Sequence, residues 1–146
     1  MQVTIREMLY EYPANKKPRI MCAADAAAEA KFISEASKEF MVCFYLNTKH
    51  DILAREIVSV GLINASLIHP REVFRSAIHI NAQSIVMVHN HPSGEAEFSS
   101  ADIEVTNVIA QAGEVLGIEL LDHIVVAGAG YKSAKEERLI RSVVKV

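Results

Sequence analysis

The stretch Phe40–Leu46 (FMVCFYL) is seven residues long and carries no charged or strongly polar side chain. It is too short for a buried helix, rich in aromatic and β-branched residues, and offers no side to water. Such a run reads as a strand covered on both faces. The stretch Ser84–His89 (SIVMVH) has the same character. Strands buried on both faces require helices above and below them, and the chain supplies candidates. Alanine-rich AADAAAEAKFISEASKEF, with Phe32, Ile33 and Ala36 at helical spacing, predicts a helix over 24–38. Pro70 suits the first position of a second helix, with Val73, Phe74, Ala77, Ile78 and Ile80 on one face. Ser99 can cap a third that runs to about Leu116 with Ile103, Val105, Val108, Ile109 and Ala112 as its apolar residues, and Gly117 would stop it.

Further strands are expected at 52–60 (ILAREIVSV), returning after an NTKHD turn, in an extended piece near 62–68, and once or twice within IELLDHIVVAG. Val3 and Ile5 alternate with Thr4 and Arg6, a short strand pattern within 2–10. The tail from Ser133 reads as a last helix, opened by a capping box with Glu136. The fold class is therefore α/β, a mixed sheet sandwiched between helices, and 146 residues fit one domain over 1–146.

Composition narrows the function. A net charge of −3 does not support autonomous binding to a phosphate backbone. The basic residues Lys16, Lys17 and Arg19, and Arg138, Arg141 and Lys145, read as a solvated face. Cys22 and Cys43 form no CxxC pair, which argues against a disulfide scaffold or a cysteine zinc site. Cys43, inside the apolar run, reads as a small buried thiol. The N-terminus MQVTIREMLYEYP is charged and has no long apolar run, so no secretory leader is expected, and the sequence holds no stretch of ~20 apolar residues. No membrane partner is expected, and the expected compartment is the cytoplasm.

The chemistry sits after the second apolar run, in HNHPSGEAEFSSAD, His89–Asp102. Residues two apart on a strand share a face, so His89 and His91 look one way from the end of a buried strand and Asn90 the other. Ligands collect at such strand ends in α/β sheets. Pro92-Ser93-Gly94 reverses the chain, and the Ser99 cap puts Asp102 in a helical first turn, from which its carboxylate can return over the two rings. Two imidazoles and one carboxylate leave one tetrahedral position open, a catalytic rather than structural zinc arrangement. Each residue has a plainer reading on its own: a loop histidine, or a helix-start carboxylate favoured by capping and the dipole. The joint spacing is far more specific.

That spacing resembles the H-x-H-P-x6-S-x-x-D core of the JAB/MPN (JAMM) metalloprotease superfamily, and most closely its RadC-like branch, named for DNA repair. EFMVCFYLNTKH, SVGLINASLIHPREVF, AIHINAQSIVMVHNHPSG and LGIELLDHIVVAG resemble RadC segments in the same order, over about 25–132. The resemblance implies a three-layer α-β-α, cytidine-deaminase-like fold with His89, His91 and Asp102 as Zn2+ ligands and Ser99 stabilising an oxyanion. It also implies a glutamate general base upstream, for which Glu39 is the first choice, Glu72 the second and Glu56 the third; spacing alone does not select among them. Full-length RadC proteins carry an N-terminal helix-hairpin-helix module, which is not expected here. Phe98 stands where many relatives have proline, a change expected only to alter the loop.

Zinc would activate a water near neutral pH. Glu39 would take that water's proton and pass it to the leaving amine, in a zinc-dependent hydrolysis of a peptide or isopeptide bond. Zinc deaminases need a PCxxC pair that these cysteines cannot supply. His123, in LLDHIVV, is placed near the site by the resemblance, as an outer partner or a satisfied core histidine. His50, His69 and His79 read as turn, cap and flank residues. The alternative is a RadC-type DNA repair accessory protein without peptidase activity, and a metal-free scaffold ranks last. Expected partners are a peptide or protein substrate and, at the open strand edges, a second copy.

Overall fold

A computed structural model describes residues 9–128 and 130–141. The expected strand at Val3 and Ile5 lies outside these residues, as does Lys145. The elements in chain order are β1 (Leu9–Glu11), α1 (Ala23–Glu29), β2 (Phe40–Leu46), β3 (Ile52–Val60), α2 (Pro70–His79), β4 (Ser84–Asn90), α3 (Ser100–Leu116), β5 (Glu119–Ala127) and β6 (Gly130–Ser133), with one 3-10 turn at Lys31–Ile33. The six strands form one mixed sheet in the order β1-β3-β2-β4-β5-β6, and only β4 and β5 run parallel.

The apolar runs explain the order. β2 and β4, the two strands with no polar side before His89, take the middle of the sheet, and both short strands take its edges. Alternate residues of β4 feed two separate cores. Ile85 and Met87 pack with Met41, Cys43, Tyr45, Phe74, Val105 and Ile109 beneath α2 and α3. Val86 and Val88 pack with Val42, Phe44, Ala26, Ala30 and Ile33 beneath α1. Helices thus cover both faces, which is the expected three-layer α/β arrangement.

Four local expectations need correction. The helix over 24–38 stops at Glu29. Beyond it the chain tightens into the 3-10 turn, with Ser34 Oγ donating back to the Lys31 carbonyl, and the carbonyls of Ala36 and Lys38 are taken by the Asn90 amide at 3.4 and 2.9 Å. No strand forms at 62–68, because Asn64 Oδ1 accepts from the amides of Ser66 and Leu67 and folds the segment into a turn. Ile78 lies on the outer side of α2, 57% exposed, while Val73, Phe74 and Ala77 are buried. The tail after Ser133 makes consecutive turns through Arg138 and no helix among the described residues.

Candidate metal centre

β4 ends at the site. Its parity sends His89 to the α3 side with Ile85 and Met87, and sends Asn90 to the α1 side. Asn90 is fully buried there and acts as a clamp: Oδ1 accepts from the Phe40 amide at 2.6 Å while the amide nitrogen donates to Lys38 and Ala36. It therefore fixes the segment that carries Glu39. The His-Pro-Ser-Gly loop then turns the chain, with Gly94 at φ +86, and Ser99 opens α3.

The opening of α3 is a full capping box. Ser99 Oγ accepts from the Asp102 amide at 3.1 Å, and Asp102 Oδ2 accepts from the Ser99 amide at 2.8 Å. The same carboxylate faces both histidines, with Oδ2 3.1 Å from His91 Nε2 and Oδ1 3.3 Å from His89 Nε2. Asp102 is thus a helix-start carboxylate whose oxygens also face both rings. The two Nε2 atoms are 3.0 Å apart, and His89, His91 and Asp102 each offer one ligand atom within 4.8 Å of the others. His89 and Asp102 are buried, whereas His91 keeps 15% of its side chain exposed and Ser99 is exposed, so the cluster opens to solvent on one side.

Each group has a partner that orients it. His91 Nδ1 lies 3.1 Å from the Glu95 carbonyl. A carbonyl only accepts, so Nδ1 carries the proton and Nε2 keeps its lone pair for an ion. His89 Nδ1 lies 2.6 Å from His123 Nε2, and His123 Nδ1 lies 2.6 Å from Thr106 Oγ1. Burial, reinforced by the neighbouring His89, pushes His123 well below the usual histidine range, so its ring is neutral. Burial pushes Asp102 upward, but the neighbouring His89 imidazole and the Ser99 amide outweigh it and hold the carboxyl below the usual range. The donor set, two imidazoles with inward lone pairs and one ionised carboxylate, fits a divalent cation such as zinc.

The three candidate bases lie in different places. Glu39 directly precedes β2, whose Met41 pairs with His89; that register brings position 39 to the sheet end where His91 lies. Its Oε2 accepts from the Ile63 amide at 3.1 Å. Glu56 is buried two strands away, where it takes the Tyr45 hydroxyl at 2.8 Å with Arg75 nearby. Glu72 is an exposed first-turn residue of α2 facing Arg75. Of the other histidines, His50 sits in a turn at φ +64, His69 is the α2 N-cap residue without a side-chain bond, and His79 ends α2. Arg19 of the basic group is paired with Asp51.

Sequence reasoning missed Thr106, the Asn90 clamp and the role of Phe98. The Phe98 ring meets His123 edge-on at 5.7 Å, so this residue packs on the site in addition to shaping the loop. Among the described residues no helix is long and apolar enough to cross a membrane.

The family described as RadC-like JAB domain matches residues 20–139. A UPF0758 protein of Methanosarcina acetivorans is 48% identical over 107 residues, covering 73% of this chain and 47% of the relative. One from Pelodictyon phaeoclathratiforme is 45% identical over 130 residues, 88% of this chain and 59% of its own. One from Geobacillus thermodenitrificans is 43% identical over 127 residues, 84% and 55% respectively. The chain spans about half the length of the curated relatives it matches.

Proposed function

The chain belongs to the RadC-like JAB domain family, and from that premise we propose that it is a zinc-dependent hydrolase acting on a peptide or isopeptide bond. The observation that carries the reading is the convergence of His89, His91 and Asp102 at a strand end that stays open to solvent on the His91 side. Zinc held by these three supplies a Lewis acid that makes a water acidic near neutral pH and polarises a carbonyl.

The chain's own groups supply the rest. Glu39 accepts the water's proton and returns it to the leaving amine. The Ile63 amide engages one oxygen of its carboxylate and orients the group, leaving the other for the proton. The Ser99 oxygen is engaged as a cap acceptor, and its hydroxyl proton is the donor for charge that develops on the tetrahedral oxygen. Asn90, through the Phe40 amide, holds Glu39 in register with the histidines.

Elemental analysis of protein purified without chelator, beside His91→Ala, is the first test. One zinc per chain, lost in the variant, is expected; equal metal in both rejects the site. Glu39→Gln should keep the zinc and lose peptide turnover by about 10²–10⁴-fold, the usual scale for a general base. Equal turnover removes Glu39 from that role.

A further inference from the structure

Behind His89 stand one imidazole, one hydroxyl and one backbone carbonyl, and a hydroxyl that donates to the carbonyl sets the proton order of the rest. The Asp102 carbonyl can only accept, and it takes the Thr106 hydroxyl proton at 2.7 Å. That hydroxyl has a single proton, so toward His123 Nδ1, 2.6 Å away, it can only accept. His123 is fully buried with only a hydroxyl and an imidazole against its ring nitrogens, so the ring carries one N–H, here on Nδ1, and Nε2 is an acceptor. His89 Nδ1, 2.6 Å from that Nε2, must then donate. The remaining lone pair of His89 is on Nε2, the atom that faces His91 and Asp102.

We propose that Thr106 and His123 form a positioning relay that fixes the tautomer of His89 and so presents its Nε2 lone pair to the ion. The proposal rests on the zinc reading above. The relay starts on the peptide carbonyl of Asp102 and ends facing the carboxylate of that same residue, so the first turn of α3 orients two of the three ligands at once. His91 is oriented separately, by the Glu95 carbonyl. Phe98 lies edge-on to His123, with the ring centroids 5.7 Å apart. His123 is fully buried, so no water competes for the Nδ1 proton of His89. A core histidine that merely filled space could be replaced by a hydrocarbon of similar size without effect on the ligands; a relay could not.

The test uses the full chain with ¹⁵N-labelled histidine. In the metal-free wild type, long-range ¹H–¹⁵N spectra should show His89 protonated on Nδ1. In His123→Leu that fixed tautomer should be lost and zinc affinity should fall by roughly 10–100-fold, the scale for loss of an outer-shell partner. His123→Gln, which retains an acceptor and a donor, should recover most of the affinity. Thr106→Val should weaken zinc binding and Thr106→Ser restore it, which keeps the test open if His123→Leu does not fold. A metal-free wild type with His89 protonated on Nε2 overturns the relay alone, as does wild-type zinc affinity in folded His123→Leu or in Thr106→Val. A wild type that binds no zinc overturns the metal reading and the relay's purpose together, whatever the tautomer.

Discussion

Ser99 and Ser133 each accept a hydrogen bond from the amide three residues ahead, at 3.1 Å in both cases, yet only Ser99 starts a helix. The residues after Ser99 bring Val105, Ile109, Ala110 and Gly113 to one side, and that stripe packs on the sheet for 17 residues. After Ser133 only Ala134 is buried; Lys135, Glu136, Glu137 and Arg138 are exposed, and Arg138 turns the chain at φ +58. A cap satisfies the first orphan amides, but a helix persists in a protein because it buries a face. The tail is instead held from outside, with Asn107 bonded to the Leu139 carbonyl and the Arg141 amide.

The aspartates beside the two serines differ in the same way. Asp102 faces two imidazoles and the Ser99 amide, so its charge is available to a cation. Asp122 is spent on structure: Oδ1 takes the amides of His123 and Lys135, and Oδ2 takes the Ser133 hydroxyl. One turn presents its carboxylate to two imidazoles, and the other uses its carboxylate to hold a joint.

Substitutions should separate the two turns. The largest effect is expected from Asp102→Asn, which retains an oxygen for the cap but loses the charge. Zinc affinity measured by competition titration should fall by more than the ~100-fold that loss of an outer partner costs, with a lowered thermal transition of the metal-free protein at neutral pH, because the ionised carboxylate also stabilises the fold. Next, Asp122→Ala should cost on the order of 3 kcal/mol in chemical denaturation, because it strands two amides and a hydroxyl, while zinc affinity changes little. If Asp122→Ala abolishes zinc binding in folded protein, the division between the two turns fails.

A smaller effect depends on pH. The unfolded chain's histidine protonates below ~6.5, whereas buried His123 stays neutral well below that value. The unfolded state therefore binds more protons, and stability falls as pH falls, by about 1.4 kcal/mol per pH unit from this residue. The carboxyl of Asp102, held low in the fold, adds a further loss below ~4. Denaturation of metal-free protein should show the first loss between ~6.5 and ~4 in wild type and a reduced slope there in His123→Leu. Smallest is Ser99→Ala, expected to cost about 1 kcal/mol as a lost cap while lowering peptide turnover. Unchanged turnover would leave Ser99 as a cap alone.

Much of this was legible from the chain. The bounds of β2 and β3, the Pro70 start of α2, and the Ser99 and Gly117 limits of α3 follow from apolar period and cap chemistry, which act over a few residues. The early stop of α1 was not: beyond Glu29 the chain enters a 3-10 turn that Ser34 Oγ closes on the Lys31 carbonyl, and the carbonyls of Ala36 and Lys38 then go to Asn90, more than fifty residues on in sequence. Nor was the turn at 64–68, where one asparagine side chain overrode an extended pattern.

The His89, His91 and Asp102 cluster and the position of His123 mark the boundary between the two kinds of information. His89, His91 and Asp102 fall within one strand end, one turn and one cap, so strand parity and helix geometry bring them together locally. His123 is 34 residues from His89, and its face is set by pairing. Ile85 pairs with Leu120 but Val86 pairs with Asp122, so Leu121 is an extra residue in β5. That bulge reverses the alternation: Leu120 packs toward α3, and without the bulge His123 would point away from it, toward α1. The amino-acid sequence alone determined which atoms could hold an ion. Only strand pairing in the folded sheet decided which ring stands behind them, because parity along a strand is local and the register that shifts it is not.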